Sequence, residues 1–91
     1  MVAFEWDERK NEVNWRKHGV SFEIVERIDW DNVYYRDDLD HEGEDRYVAY
    51  GYAPDGFGYV IAFTFRQEAR RIISVRRFSK GDYRRYPPAA L

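Results

Sequence analysis

The sequence predicts one α+β domain over residues 1–91, with two N-terminal helices, a four-stranded antiparallel sheet and a short C-terminal helix. The first third of the chain contains helix-capping residues and apolar residues spaced three positions apart. From Val33 onward the period of the apolar residues shortens to two. Turn-length links between the last three strands are typical of an antiparallel meander. Residues 4–6 form a short extended or anchoring segment ahead of the first helix. We expect the helices to pack on one face of the sheet.

Capping residues delimit the two N-terminal helices. Asp7 is a suitable N-cap for a first helix that runs to about His18, and Gly19 occupies the position where glycine commonly ends a helix. Ser21 is the N-cap of a second predicted helix over residues 22–29. Three apolar residues of this segment recur at threefold spacing and are expected to face the core: Phe22, Val25 and Ile28.

Twofold spacing and turn chemistry define the rest of the chain. The predicted strands cover residues 33–36, 46–53, 59–65 and 70–77. An acidic loop over residues 37–45 separates the first two strands, and a Pro-Asp-Gly turn at residues 54–56 separates the next two. The final helix covers about residues 79–86 and ends before two prolines.

Charge is distributed unevenly along the chain. Residues 66–86 hold eight Lys/Arg against two acids, a net charge of +6, whereas residues 1–55 hold seven bases and fifteen acids, a net charge of −8. The formal total is only −2. Such asymmetry indicates a polyanion at the basic end, because the arginine guanidinium matches phosphate oxygens in geometry and charge.

Composition excludes several classes of protein. The absence of cysteine rules out disulfides, thiolate metal sites and cysteine nucleophiles, and it fits a reducing cytoplasm. The N-terminus lacks a basic segment followed by an apolar run, so we expect no secretory signal. No apolar stretch reaches the length of a membrane span, so we expect a soluble chain without a membrane partner.

Two strings carry a resemblance to a known family. Lys-His-Gly-Val-Ser-Phe occupies residues 17–22, and Arg-Ile-Ile-Ser-Val-Arg-Arg occupies residues 71–77. They stand in order with Lys10-Asn11, an acidic loop that ends in Gly-Glu-Asp-Arg, and a terminal Arg84-Arg85-Tyr86. The whole pattern resembles the BrnT family, toxins of bacterial type II toxin–antitoxin systems. Trp15, Phe78 and Asp82 depart from the residues usual in that family.

The resemblance implies a fold, an activity and a partner. It implies a fold like that of the RelE-type ribonucleases and RNA cleavage without a metal or other cofactor, which inhibits translation and growth. The toxin would be neutralised by a BrnA-like ribbon-helix-helix antitoxin, in a complex with two copies of each chain. The location would be the bacterial cytoplasm.

Four residues are predicted to act in catalysis: Arg76, Lys17, His18 and Tyr86. Alternation along the last strand places Ile72, Ser74 and Arg76 on one face, with Ile73 and Val75 directed toward the helices. Arg76 would then stabilise charge on the phosphate, although it could instead be a surface arginine paired with an acid. Lys17 would contact phosphate or act as a base, and otherwise belongs to a solvated helix face.

His18 would transfer protons near neutral pH, or else donate to the last carbonyls of its helix. Tyr86 would transfer a proton or stack on a base, or else pack against the sheet. Further basic residues are predicted to bind substrate: Lys10, Arg70, Arg77, Arg84 and Arg85. The acids of residues 37–45 lack the spacing of a calcium loop, so no metal site is predicted.

Two functions of other classes remain open on sequence alone. The same basic strand and C-terminal helix would serve a non-catalytic module that binds RNA or DNA. They would equally serve a protein-binding regulator whose basic surface meets an acidic partner. Gripping a nucleic acid and cutting it use the same residue types, so the sequence does not separate these functions from a ribonuclease.

Overall fold

A five-stranded mixed sheet organises the computed structural model of the chain, which describes residues 3–38 and 45–89. The strands are β1 (Ala3–Glu5), β2 (Tyr34–Asp38), β3 (Arg46–Tyr52), β4 (Gly58–Arg66) and β5 (Ala69–Arg77), and the helices are α1 (Glu8–His18) and α2 (Lys80–Arg85). The order across the sheet is β1-β5-β4-β3-β2. β1 pairs in parallel with β5, whereas β3 to β5 form the predicted antiparallel meander and β2 pairs antiparallel with β3. The predicted four-stranded antiparallel sheet is therefore wrong, because the sheet has a fifth strand and this strand is parallel to its neighbour.

β1 arises from the segment that was expected to be extended or to serve as an anchor. Phe4 lies opposite Arg70 in the parallel ladder. A strand of three residues is too short to show a period of two, and its partner lies more than sixty positions away. Local pattern therefore carries no information about this pairing.

The second predicted helix is also wrong. Phe22–Arg27 forms a 3-10 helix, and a shorter 3-10 turn follows at Trp30–Asn32. Side chains three positions apart are aligned in a 3-10 helix, so the same threefold spacing that predicted an α-helix is satisfied by the tighter one. Phe22 and Val25 are fully buried as expected. Ser21 accepts a hydrogen bond from the Glu23 amide as the predicted N-cap.

Helix α1 has the predicted bounds and lies at the edge of β5. Asp7 accepts a hydrogen bond from the Arg9 amide, and Gly19 adopts a left-handed conformation with φ of 68°. The buried Asn14 side chain donates to the Val75 carbonyl (2.8 Å) and accepts from the Val75 amide (3.1 Å). One side-chain amide thus replaces a neighbouring strand at a part of β5 that β1 does not cover.

A bulge in β5 changes which side chains face the core. Ala62 pairs with Ser74 while Phe63 pairs with Ile72, so Ile73 is the extra residue. Ile72 and Val75 are both buried in the main cluster. The predicted grouping of Ile72 with Ser74 and Arg76 is therefore wrong for Ile72, because strict alternation fails across the bulge. The placement of Arg76 opposite Val75 is confirmed, because both residues follow the bulge.

The sheet has two covered faces of unequal size. The core face carries the main cluster, which includes Phe22, Val25, Ile61 and Phe63. The opposite face, here called the α2 face, carries a smaller cluster of Val48, Tyr50, Val60 and Phe78 with Tyr86 against it. The expectation that all helices pack on one face is wrong, because α2 follows β5 directly and packs on the other side. Among the described residues, no helix is long and apolar enough to cross a membrane.

Candidate active site

The register of the strands places two arginines on the α2 face. Tyr34, Tyr50, Val60 and Arg76 form one row across β2 to β5, and Arg36, Val48, Ala62 and Ser74 form the next. Arg36 and Arg76 therefore lie in adjacent rows of the same face, although forty residues separate them in the chain. Alternate residues share a face in every strand of these two rows.

Arg76 is held by the N-terminus of α2. Its Nη1 atom donates to Asp82 Oδ2 (2.9 Å) and to the Arg77 carbonyl (3.1 Å). The Arg76 side chain is 42% exposed, whereas that of Asp82 is 12% exposed. The paired-arginine alternative is thus realised, with an acid of the same basic segment. The ion pair fixes the direction of the guanidinium and leaves part of it accessible to a ligand.

Asp82 supplies the negative charge that pairs with Arg76. It accepts a hydrogen bond from the Ser79 amide, and its own amide donates to Ser79 Oγ, which completes a capping box for α2. Burial alone would raise the pKa of Asp82, but hydrogen bonds from Ser79 and Arg76 outweigh it and lower the pKa below its usual value of 3.8. The carboxylate is therefore ionised at neutral pH, when it pairs with Arg76.

Tyr86 is fixed on the same face by three tyrosines. Its ring stacks on that of Tyr50, with centroids 3.9 Å apart and 23° between the planes. The Tyr52 hydroxyl donates to the Tyr86 carbonyl (2.7 Å), and the Tyr34 hydroxyl donates to the Pro87 carbonyl (3.1 Å). Tyr86 therefore packs on the sheet, which is one of the two predicted alternatives for this residue. Its role in proton transfer or in base stacking stays a prediction.

Arg36 and Tyr50 lie on the same face as Arg76 but are absent from the residues predicted from the sequence. The Arg36 guanidinium carbon lies 5.9 Å from the centroid of the Tyr50 ring. Burial raises the pKa of Tyr50, and proximity to Arg36 only partly opposes this rise. The Tyr50 hydroxyl consequently remains a hydrogen-bond donor at neutral pH. No local motif marks either residue, and their alignment follows from the register of β2 with β3.

Three predicted residues of α1 share one groove. Lys10, Lys17 and His18 line a groove of about 280 Å³ between α1 and the part of β5 that contains Ile73 and Ser74. The i, i+7 spacing of the two lysines predicts their common side correctly. Ser74 also belongs to the α2 face, so the groove adjoins the face that carries Arg76.

The other predicted basic residues lie elsewhere. Arg77 is on the core face of β5, with its guanidinium carbon 5.8 Å from the Phe57 ring centroid. Arg70 is also on the core face, where it lies against Trp30. Arg84 and Arg85 are exposed in the last turn of α2. The structure therefore does not gather all five predicted substrate-binding residues around Arg76.

The described residues hold no group of three His, Asp or Glu side chains that could bind a metal ion together. Most of the predicted acidic loop, residues 39–44, lies outside the described ranges. Of the remaining loop acids, Asp37 and Asp38 lie on β2.

Comparison with known proteins agrees with the fold and with the sequence pattern. The sequence model of a family described as the ribonuclease toxin BrnT of type II toxin–antitoxin systems matches residues 6–82. The crystal structure of the Brucella abortus ribonuclease toxin BrnT is similar in fold, with a TM-score of 0.68 and 24% sequence identity. That match covers 88% of this chain and 100% of the Brucella chain. No curated protein matches the sequence.

Proposed function

Since the chain belongs to the BrnT family of ribonuclease toxins from type II toxin–antitoxin systems, we propose that it cleaves RNA on the α2 face of its sheet, around Arg76. Its substrate is RNA and its partner is an antitoxin, as membership of the family entails. The location is supported by one observation: Arg36 and Arg76 lie in adjacent rows of the face on which Tyr86 packs.

RNA cleavage by the neighbouring 2′-hydroxyl needs a base, charge stabilisation at phosphorus and an acid for the leaving 5′-oxygen. Arg76 supplies the charge stabilisation, because its partly exposed guanidinium is already oriented by Asp82. Tyr86 protonates the 5′-oxygen, and Arg36 neutralises the adjoining phosphate. Lys17 or His18 serves as the base from the groove that meets this face at Ser74. The products are a 2′,3′-cyclic phosphate and a 5′-hydroxyl.

The proposed reaction uses no metal. Arginine, lysine, histidine and tyrosine supply every charge and proton that the chemistry needs, and the chain has no cysteine. Labelled RNA incubated with the protein in excess EDTA should be cut to fragments with 2′,3′-cyclic phosphate ends. Arg76→Ala purified in parallel controls for contaminating ribonuclease. Cleavage that stops in EDTA and returns with a divalent ion would contradict the mechanism.

The same assay separates the alternative functions. RNA that is retarded in a gel but stays intact would indicate a binding module. RNA that is neither cut nor retarded would indicate a protein-binding regulator.

We further propose that the antitoxin is a BrnA-like ribbon-helix-helix protein, that the complex holds two copies of each chain, and that the free toxin stops translation and growth. The basic segment over residues 66–86, with a net charge of +6, gives an acidic partner a surface to bind. Co-expression with the product of the adjacent reading frame should restore growth, and light scattering should give the mass of a heterotetramer. Growth arrest that persists on co-expression with either neighbouring reading frame would contradict the proposal that the antitoxin is encoded there.

A further inference from the structure

A second arginine-centred cluster lies on the core face. The guanidinium carbon of Arg70 lies 4.3 Å from the Trp30 ring centroid and 5.8 to 5.9 Å from those of Phe4, Phe63 and Phe65. Its Nη2 atom donates to the Tyr35 hydroxyl (3.3 Å). These six residues are here called the Arg70 cluster.

The Arg70 cluster lacks a counter-ion. An arginine carries five N–H donors, and the Tyr35 hydroxyl engages only one nitrogen of Arg70. The Nε atom is buried without a hydrogen-bond partner, and no acid within the described ranges pairs with the guanidinium. A cation held in an aromatic setting without an anion is costly, so the site is complementary to a negatively charged group.

The rim of the cluster is aromatic and accessible. Tyr35 is 53% exposed and Phe65 is 48% exposed, and both rings lie next to Phe63. Arginine and large aromatic residues are the side chains enriched at the energetic centres of protein interfaces. A carboxylate with a neighbouring apolar side chain would satisfy the cation and cover the two rings at once.

We propose that the Arg70 cluster is a docking site for the antitoxin, which places an aspartate or glutamate on Arg70 and an apolar side chain on Tyr35 and Phe65. A protein fits better than RNA because Arg70 and Arg76 point to opposite faces and are about 20 Å apart along β5. An RNA strand on the α2 face does not reach this cluster. The inference rests on the antitoxin partnership of the family and is independent of the proposed catalytic residues.

The test compares antitoxin affinity with RNA cleavage in the same variants. The probe is the purified product of the reading frame adjacent to the gene for this chain, titrated onto Arg70→Ala, Tyr35→Thr and Phe65→Thr. Threonine suits strand positions, so the two ring variants remain informative if Arg70→Ala does not fold. Trp15→Ala is the matched control, because Trp15 is an aromatic residue with 59% exposure that lies on α1, outside the cluster.

We expect Arg70→Ala to raise the Kd by about 30-fold or more, which corresponds to about 2 kcal/mol, and each threonine variant to raise it by about 5-fold. RNA cleavage by Phe65→Thr and antitoxin binding by Trp15→Ala should match wild type. Wild-type affinity in folded Arg70→Ala, or in both ring variants, overturns the proposal. So does a loss of RNA cleavage in Arg70→Ala with unchanged antitoxin affinity, which would return Arg70 to its predicted role as an RNA contact. Failure of wild-type protein to bind the probe overturns the antitoxin as occupant, and it leaves the RNA-cleavage proposal standing.

Discussion

Replacing Arg76 by alanine should slow RNA cleavage far more than it weakens RNA binding. The guanidinium stabilises charge that develops only as the phosphorane forms, so its loss acts on the rate of the chemical step. Removing one such donor lowers kcat by about 10²–10³-fold, or roughly 3–4 kcal/mol. Single-turnover cleavage of labelled RNA at saturating protein measures this rate separately from binding.

The structure also indicates how much Arg76→Ala should lower the free energy of unfolding. From the sequence alone, a surface arginine would contribute no more than about 0.5 kcal/mol to stability. Arg76, however, pairs with an Asp82 side chain that is only 12% exposed. A hydrogen bond to a charged group is worth about 1.5–3 kcal/mol, and solvent at the half-exposed guanidinium reduces this to about 1 kcal/mol. The Tm should then fall by about 4–8 °C, which leaves the variant folded at 25 °C.

Asp82→Asn is the matched control for Arg76→Ala. It removes the same ion pair and a similar amount of stability, but it leaves the Arg76 charge on the α2 face. We expect its cleavage rate to fall by about tenfold or less, because orientation is loosened while the charge remains. If Arg76→Ala is folded and cleaves RNA at the wild-type rate, the active site does not lie on this part of the sheet.

Four further outcomes are expected. Gly58→Ala should lower the unfolding free energy by about 1–3 kcal/mol, because a Cβ there overlaps the Phe78 ring. Gly81→Ala, whose new Cβ would meet only Ser79 Oγ at 3.8 Å, should be neutral or stabilising by up to about 1 kcal/mol in parallel urea melts. Because the folded-state pKa of Asp82 is lowered, its stabilisation should be full above the unfolded value of 3.8 and lost as the pH falls below it, so the stability difference from Asp82→Asn should shrink in acid melts. Arg84→Ala should weaken RNA binding mildly and reduce the slope of log K against log salt by about 0.7, and an unchanged slope in filter-binding titrations would remove Arg84 from the RNA path.

Local signals in the sequence were sufficient for several elements. The bounds of α1 follow from an acidic N-cap and a terminal glycine, both of which act within one helical turn. The antiparallel order of β3 to β5 follows from alternation and short links. The 3-10 helix was mistaken for an α-helix because threefold spacing suits both, and six residues give too little length to separate them.

Locating the candidate site required both the sequence and the tertiary structure. The sequence by itself indicated the charge of the ligand, because a basic segment that ends in Arg84-Arg85-Tyr86 favours a polyanion wherever its side chains point. Only the tertiary structure decided which arginines share a face of the sheet. The bulge at Ile73 reverses the alternation along β5 between Arg71 and Arg76, and a one-residue change of this kind exchanges the two faces of a strand. Strand register brought Arg36 beside Tyr50 through hydrogen bonds between distant segments, which no local pattern encodes. Arg70 and Arg76, six residues apart in one basic strand, were thereby directed to opposite faces of the sheet.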